Sequence, residues 1–318
     1  MSLDLAFWID PPETLKPAKD SSIAMMRAAA ARGHRISVIG PQGLAHVGGR
    51  VQGMARMLTL GGVGDDWCSL AAPERRPLRD FDAVLARKDP PFDIEYITST
   101  WLLQAAEREG ARVVNAPRAL REHSEKLAIL EFPEFTVPGL VCRDGADLQA
   151  FIDAERDTVL KPLDGMGGAS VFRVRADDPN RNVIVETLGA DGARTVFAQR
   201  YIPEITAGDK RILIVAGEPL PYALARVPKA GETRGNLAAG GTGIAQPLSA
   251  RDREIATEVG SRLAPRGLFL IGIDVIGDWL TEINVTSPTC FVEISAQTEL
   301  DVATRFIEAL ETHCATAR

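Results

Sequence analysis

The sequence predicts an α/β domain built on a parallel sheet, followed by an α+β region. Three observations lead there. The chain has 318 residues, which at about 150 residues per domain suggests two domains or one with a large elaboration. Its first third alternates short apolar runs with helix-like stretches, and such alternation calls for a parallel sheet covered on both faces. Beyond Asn115-Ala116-Pro117 the apolar runs come closer together, spaced for hairpins rather than long crossovers.

Leu3 to Ile9, with Phe7 and Trp8, reads as a buried strand. Asp20-Ser21-Ser22 supplies N-capping side chains for IAMMRAAAAR, a run of good helix formers closed by Gly33. Arg35 to Ile39 and Phe81 to Ala86 are further strands. Tyr96 to Glu109 is a helix stopped at Gly110, and Val113-Val114 closes the unit as a short strand. Gly40 to Arg79 is irregular and rich in glycine, and a hairpin with loops is expected there.

Further along, Glu122 to Leu130 reads as helical and Thr136 to Val141 as a strand. Asp144 to Glu155 is a helix capped by its aspartate, and Thr158 to Pro162 is a strand running into glycines. Strands follow at 171–174, 195–202, 210–216, 219–227, 269–276 and 280–285. Helices fall at 180–188, 250–264 and 298–312.

Composition narrows the function. Lys and Arg number 36 and Asp and Glu 43, giving a formal charge of −7 and a pI near 5.3. No global positive field draws in a phosphate backbone or an anionic membrane, so neither nucleic acid nor membrane is an expected partner. Cys68, Cys142, Cys290 and Cys314 form no C-x-x-C pair and lie near no histidine at ligand spacing. Reduced thiols in a cytoplasmic protein are expected, and a zinc site is not. The opening MSLDLAFWID lacks the basic and apolar segments of a secretory signal.

Three stretches carry chemistry. In VLKPLDGMGGAS (159–170) a strand delivers Lys161 into a glycine-rich loop. Glycine has no Cβ to keep backbone N–H groups from phosphate oxygens, and the lysine adds a point charge. The spacing matches neither a Walker loop nor a dinucleotide fingerprint. A plain glycine-rich hairpin is the competing reading.

In GIDVIGDWLTEIN (272–284) two strand-like runs flank a turn, with Asp274, Glu282 and Asn284 in apolar settings. A buried carboxylate needs a cation or a hydrogen-bonded partner. A three-residue loop at 277–279 would pair Asp274 with Glu282 and put Asn284 on their face, whereas a two-residue loop would turn Asp274 away. Gathered, the three are hard oxygen ligands suited to Mg²⁺. Structural salt bridges to Lys or Arg are the alternative.

Third come arginines on turns: Arg211, Arg226 and Arg234. The last lies in AGETRGNLAAGGTG (230–243), a glycine-rich stretch that reads either as a lid closing on an anion or as a surface loop. In RKDPPFD (87–93), Arg87 follows a strand of the first domain. There it faces an anionic substrate group, or simply occupies a turn fixed by two prolines.

Together these stretches resemble the ATP-grasp ligases, specifically the prokaryotic glutathione synthetase family. The resemblance runs nearly collinearly through RKDPPFD, KPLDGMGGAS, GDKRILIV (208–215), ARVPKAGETRGNLAAGG (225–241) and IDVIGDWLTEINVTSPTC (273–290). It implies a pre-ATP-grasp N-terminal domain at 1–121 and two ATP-grasp subdomains at 122–202 and 203–318. Lys126 and Lys161 would contact ATP phosphates beneath Gly165, Gly167 and Gly168. Gln199, Arg200, Tyr201 and Ile202 would meet adenine largely through backbone atoms, and Asp209 would hold the ribose. Arg211, Arg226, Arg234 and Asn236 would bind the transferred phosphoryl group or substrate carboxylates. Asp274, Glu282 and Asn284 would bind two Mg²⁺ ions, with Mn²⁺ a substitute. Ser287 and Thr289 would line the substrate end. Arg200 and the Thr242-Gly243-Ile244 end of the lid depart from the family pattern.

The implied reaction joins γ-glutamylcysteine to glycine at the expense of ATP, in a cytoplasmic homotetramer. Two other readings stand beside it. One is an ATP-grasp ligase with different substrates, and the other is a non-catalytic nucleotide-binding module, which would have lost its metal ligands.

Overall fold

The computed structural model describes residues 2–64, 66–165, 167–232, 234–237 and 240–316. Met1, Met166 and Thr233, which belong to stretches singled out above, lie outside the described residues, as do Ala238 and Ala239.

The N-terminal sheet is centred on β1 (Asp4–Trp8), every residue of which is buried. β1 pairs in parallel with β2 (Arg35–Val47) on one side and β6 (Ala83–Ala86) on the other, and β6 pairs in parallel with β7 (Val113–Val114). Helices α1 (Ser21–Ala31) and α2 (Ile94–Arg108) cover the sheet, capped by Asp20 and Asp93. The expected hairpin after Gly40 is present and longer than anticipated. β2 continues to Val47 and returns as β3 (Arg50–Leu60), which pairs with β4 (Cys68–Leu70) and β5 (Glu74–Pro77).

The segment after β7 departs from the expected helix at 122–130. α3 (Pro117–Glu122) begins earlier because Pro117 sits at its first position, where a missing N–H is harmless. It stops at His123, and one 3₁₀ turn follows at Ala128–Glu131.

A four-stranded antiparallel sheet comes next, in the order β10-β9-β11-β8. β8 (Gly139–Cys142) starts three residues later than predicted. β9 (Asp157–Pro162), β10 (Phe172–Arg175) and β11 (Val196–Arg200) lie where expected, backed by α4 (Gly145–Glu155) and α5 (Arg181–Gly189). Their own small core holds Leu148, Ile152, Leu160, Val174 and Val196.

The third sheet is antiparallel, in the order β14-β13-β12-β15-β16. It comprises β12 (Asp209–Val215), β13 (Glu218–Val227), β14 (Thr242–Pro247), β15 (Leu270–Ile276) and β16 (Trp279–Asn284), with α6 (Ala250–Leu263) against it. Two elements differ from the sequence reading. β14 was hidden in the polar run TGIAQP, which forms a strand only because β13 offers it an edge. The helix expected at 298–312 is α8 (Val302–Thr316), preceded by the separate α7 (Phe291–Gln297). The break is held by Thr298 Oγ1 donating to the Ile294 carbonyl and the Val302 N–H donating to Ser295 Oγ. Among the described residues, no helix is long and apolar enough to cross a membrane.

The N-terminal sheet is stitched to the third one by Asn115. Its Nδ2 donates to the carbonyls of Leu270 and Val285 at 2.8 Å, and its Oδ1 accepts from the Leu270 N–H at 2.8 Å.

Candidate active site

One cleft of about 310 Å³ lies between the second and third sheets, bordered by the loop after β6, and every predicted site residue except Arg87 lines it. That volume is in the range of small-ligand sites.

The carboxylate hairpin forms the floor. Asp274 on β15 pairs with Glu282 on β16, and Gly272 with Asn284. The expected three-residue loop is not what achieves this. Ile276 pairs with Trp279 across a two-residue turn, with Gly277 at φ +56°. Taken alone, that turn would set Asp274 opposite Thr281. A bulge restores the pairing: Val275 faces Leu280 and Asp274 faces Glu282, leaving Thr281 as the extra residue. The Thr281 hydroxyl donates to the Asp274 carbonyl at 3.1 Å, and its own carbonyl accepts from Lys161 Nζ at 3.2 Å.

The alternative reading, structural salt bridges, is what the geometry shows. Asn284 Nδ2 lies 3.3 Å from Asp274 Oδ2, so amide and carboxylate share one face. The same Asp274 is clasped by Arg211, at 2.6 and 3.1 Å, and by Arg226 Nη2 at 2.9 Å. Glu282 Oε1 lies 3.2 Å from Lys126 Nζ. Two carboxylates and an amide oxygen suit a hard divalent cation by donor chemistry, and the cleft beside them leaves room for further oxygen ligands.

Two arginines and two aspartates share this buried cluster. Burial pushes the Asp274 carboxyl up, but Arg211 and Arg226 outweigh it and hold the group well below the usual carboxylate range. Asp209 takes the opposite direction. Burial, only partly countered by Arg226, pushes it up to about 7. Asp274 has both guanidiniums, while Asp209 pairs with Arg226 alone, at 2.5 Å, and leaves its buried Oδ1 without a partner.

Lys161, on β9, is buried and lies 5.1 Å from the Phe197 ring centroid. Burial lowers its ammonium pKa, and Lys126 lowers it further, against the pull of Glu282. Lys126 Nζ also donates to the Gly165 carbonyl, so it bridges the glycine loop to the hairpin. Gly167 and Gly168 take φ of +64° and +81°, a region that favours glycine. A Cβ on Gly168 would come within 2.6 Å of Asn236 Oδ1. Arg234 Nη1 donates to the Gly168 carbonyl at 3.4 Å and pairs with Glu232 at 2.6 Å. Arg234 and Asn236 of the 230–243 stretch thus rest on the glycine loop.

At the other end, Gln199 is buried and its Nε2 has no partner. Arg200 lines the cleft, and its guanidinium pairs with Glu155 at 2.5 Å. The Tyr201 ring is covered by the Arg173 guanidinium at 3.6 Å. Ser287 and Thr289 lie on the loop that leaves β16.

Arg87 is the exception. It is buried behind the cleft, with Nε donating to Ser22 Oγ at 3.1 Å and Nη2 to the Pro288 carbonyl at 2.9 Å. Burial lowers its pKa. It anchors the Ser287–Thr289 loop, and its neighbours Asp89 and Pro90 line the cleft instead. Sequence reasoning also passed over Glu125, a cleft residue whose only signal was its place beside Lys126.

Two family models match the chain: the N-terminal domain of prokaryotic glutathione synthetase over residues 3–121, and its ATP-grasp domain over residues 125–299. The glutathione synthetase of Nitrosomonas europaea is 58% identical over 316 residues, covering 98% of this chain and 99% of that one. That of Ralstonia nicotianae is 57% identical over 307 residues, covering 96% and 95%. Among solved structures, D-cycloserine synthetase superposes with a TM-score of 0.66 at 15% identity, covering 98% and 99% of the two chains. An ATP-grasp RimK domain protein from Sphaerobacter thermophilus gives 0.63 at 22% identity, covering 96% and 98%, and both establish the fold. With family models spanning nearly its whole length and relatives more than half identical to it, the chain belongs to the prokaryotic glutathione synthetase family.

Proposed function

We propose that this protein is an ATP-dependent carboxylate–amine ligase that joins γ-glutamylcysteine to glycine, yielding glutathione, ADP and phosphate. The observation that carries this reading is the meeting, in one cleft, of a two-carboxylate face, two buried arginines, two lysines and a glycine loop. Under it, the units at 1–121, 122–202 and 203–318 each border the cleft, and the assembly is a cytoplasmic homotetramer.

A carboxylate does not acylate an amine at neutral pH until one of its oxygens becomes a leaving group. Here the oxygen of the cysteine-end carboxylate attacks the γ-phosphorus of ATP. A new O–P bond forms, the bond to the β,γ-bridging oxygen breaks, and ADP is released. Lys126 and Lys161 neutralise phosphate oxygens, while Arg211 and Arg226 face the transferred group. Asp274, Glu282 and Asn284 would hold Mg²⁺, or Mn²⁺ in its place, which when bound supplies charge neutralisation and orients the phosphates. Glycine's amine then attacks the acyl carbon, the C–N bond forms, phosphate departs, and the amine proton passes to water or a phosphate oxygen. Arg234 and Asn236, on the lid, keep water from the acyl phosphate. Gln199 to Ile202 receive adenine, Asp209 the ribose, and Ser287 and Thr289 the peptide substrate.

The test is phosphate release with ATP, Mg²⁺, γ-glutamylcysteine and glycine, omitting each in turn. Full release is expected only from the complete mixture. Release that ignores glycine, or that responds to other amino acids instead, overturns the substrate assignment.

A further inference from the structure

β16 is an edge strand, and its last ladder partners are Asn284 and Gly272. The N–H groups on its outer side, and those just beyond its end, have no strand to pair with. Unpaired backbone donors in a buried setting are costly, so something must receive them. Glu125 does. Its backbone carbonyl accepts from the Ile283 N–H at 2.9 Å. Its side-chain Oε1 accepts from the Val285 N–H at 2.8 Å, the Thr286 N–H at 3.0 Å and the Thr286 hydroxyl at 2.9 Å. Three donors converging on one oxygen suit a carboxylate, whose oxygens are acceptors only.

The bonds fall among the predicted site residues. Glu282 and Asn284 flank the clasped Ile283 N–H, and Ser287 and Thr289 follow the clasped Val285 and Thr286. The next residue, Lys126, reaches both Glu282 and the Gly165 carbonyl. Residues 125 and 126 therefore fix the carboxylate hairpin from outside the sheet while touching the glycine loop inside the cleft.

We infer that Glu125 is a positioning residue, whose Oε1 acts as a surrogate strand for the end of β16 and thereby sets the placement of Glu282, Asn284, Ser287 and Thr289. This rests on the ligase reading above, because it presumes that those four side chains meet cation and substrate. The role needs an acceptor at the Oε1 position and not a negative charge. A glutamine in place of Glu125 would keep the acceptor, an aspartate would withdraw it by one methylene, and an alanine would remove it.

The experiment compares Glu125→Gln, Glu125→Asp and Glu125→Ala in the full chain. Two readouts are used: hydrogen exchange at the Val285 and Thr286 amides without ligands, and steady-state kinetics with Mg²⁺ titration. Glu125→Gln should keep amide protection and stay within about threefold of wild-type kcat/KM. Glu125→Ala should lose protection, need more Mg²⁺ for half-maximal rate, and fall about 100-fold in kcat/KM, as expected when reacting groups are misplaced by an ångström. Glu125→Asp should fall between them. If Glu125→Ala does not fold, the contrast between Glu125→Gln and Glu125→Asp decides. Wild-type protection and kinetics in Glu125→Ala or Glu125→Asp would overturn the inference. So would a folded Glu125→Gln as impaired as Glu125→Ala, since charge rather than acceptance would then matter. A failure of the ligase reading is separate, because it appears as an inactive wild type whose amide protection still tracks the Oε1 acceptor.

Discussion

Asp274 and Glu282 face each other across β15 and β16 because Thr281 bulges out of the strand between Leu280 and Glu282. The bulge turns Glu282 onto the cleft face and presents the Thr281 carbonyl to Lys161 at 3.2 Å. One extra residue thus aligns the carboxylate pair and orients a lysine from another sheet.

Glu282→Ala should remove one side of this pair. The expectation is a loss of at least about 100-fold in turnover with the fold intact, comparable to the loss of a strongly supporting metal-site group. Phosphate release and a thermal melt check it. Near-normal activity would refute the cation-binding role.

If Arg234 acts from a lid, as proposed, Arg234→Ala should lower kcat about 10- to 100-fold and leave KM for ATP within a few-fold. Among the described residues its side chain pairs with Glu232 and the Gly168 carbonyl, so its loss should barely move the melting temperature. An effect confined to ATP affinity would contradict the lid role.

Gly168→Ala tests the contact between loop and lid. The added methyl meets Asn236 Oδ1 at 2.6 Å on a backbone at φ +81°. Activity should drop by roughly tenfold or more, from strain in the loop and displacement of Asn236. Unchanged kinetics would mean that loop and lid do not act in contact.

Glu107 gives a pH prediction away from the cleft. Burial pushes its carboxyl up to about 7, against the pull of Arg121. Between the unfolded value of 4.5 and about 7 the folded protein holds a proton that the unfolded chain has lost, so this group's contribution to stability falls as pH rises through that window. Glu107→Gln removes the titration. Its melting temperature relative to wild type should be lowest at pH 4, rise up to pH 7, and stay level above. A difference independent of pH would refute the shifted ionisation.

Local patterns made much of this protein legible. α1 was marked by Asp20 at its N-cap, and α1 and α2 by Gly33 and Gly110 past their ends, because caps and glycines act within a few residues. The helix misplaced at 122–130 is the opposite case. Its apolar spacing was helical, but Pro117 set an earlier start, and Ser124–Leu127 became a turn that delivers Glu125 and Lys126 to the cleft.

Most of the strands, the glycine loop, and side-chain types suited to phosphate and divalent cations were readable in residue order, because those depend on side-chain chemistry and short-range spacing. Long-range packing set which of them meet. It turned Arg87 from the cleft to the Pro288 carbonyl, drew the polar run at 242–247 into a strand on β13, and set the Asp274–Glu282 register by a bulge. Each of these outcomes depends on a partner far along the chain that satisfies a backbone or charged group, and no local window contains that partner.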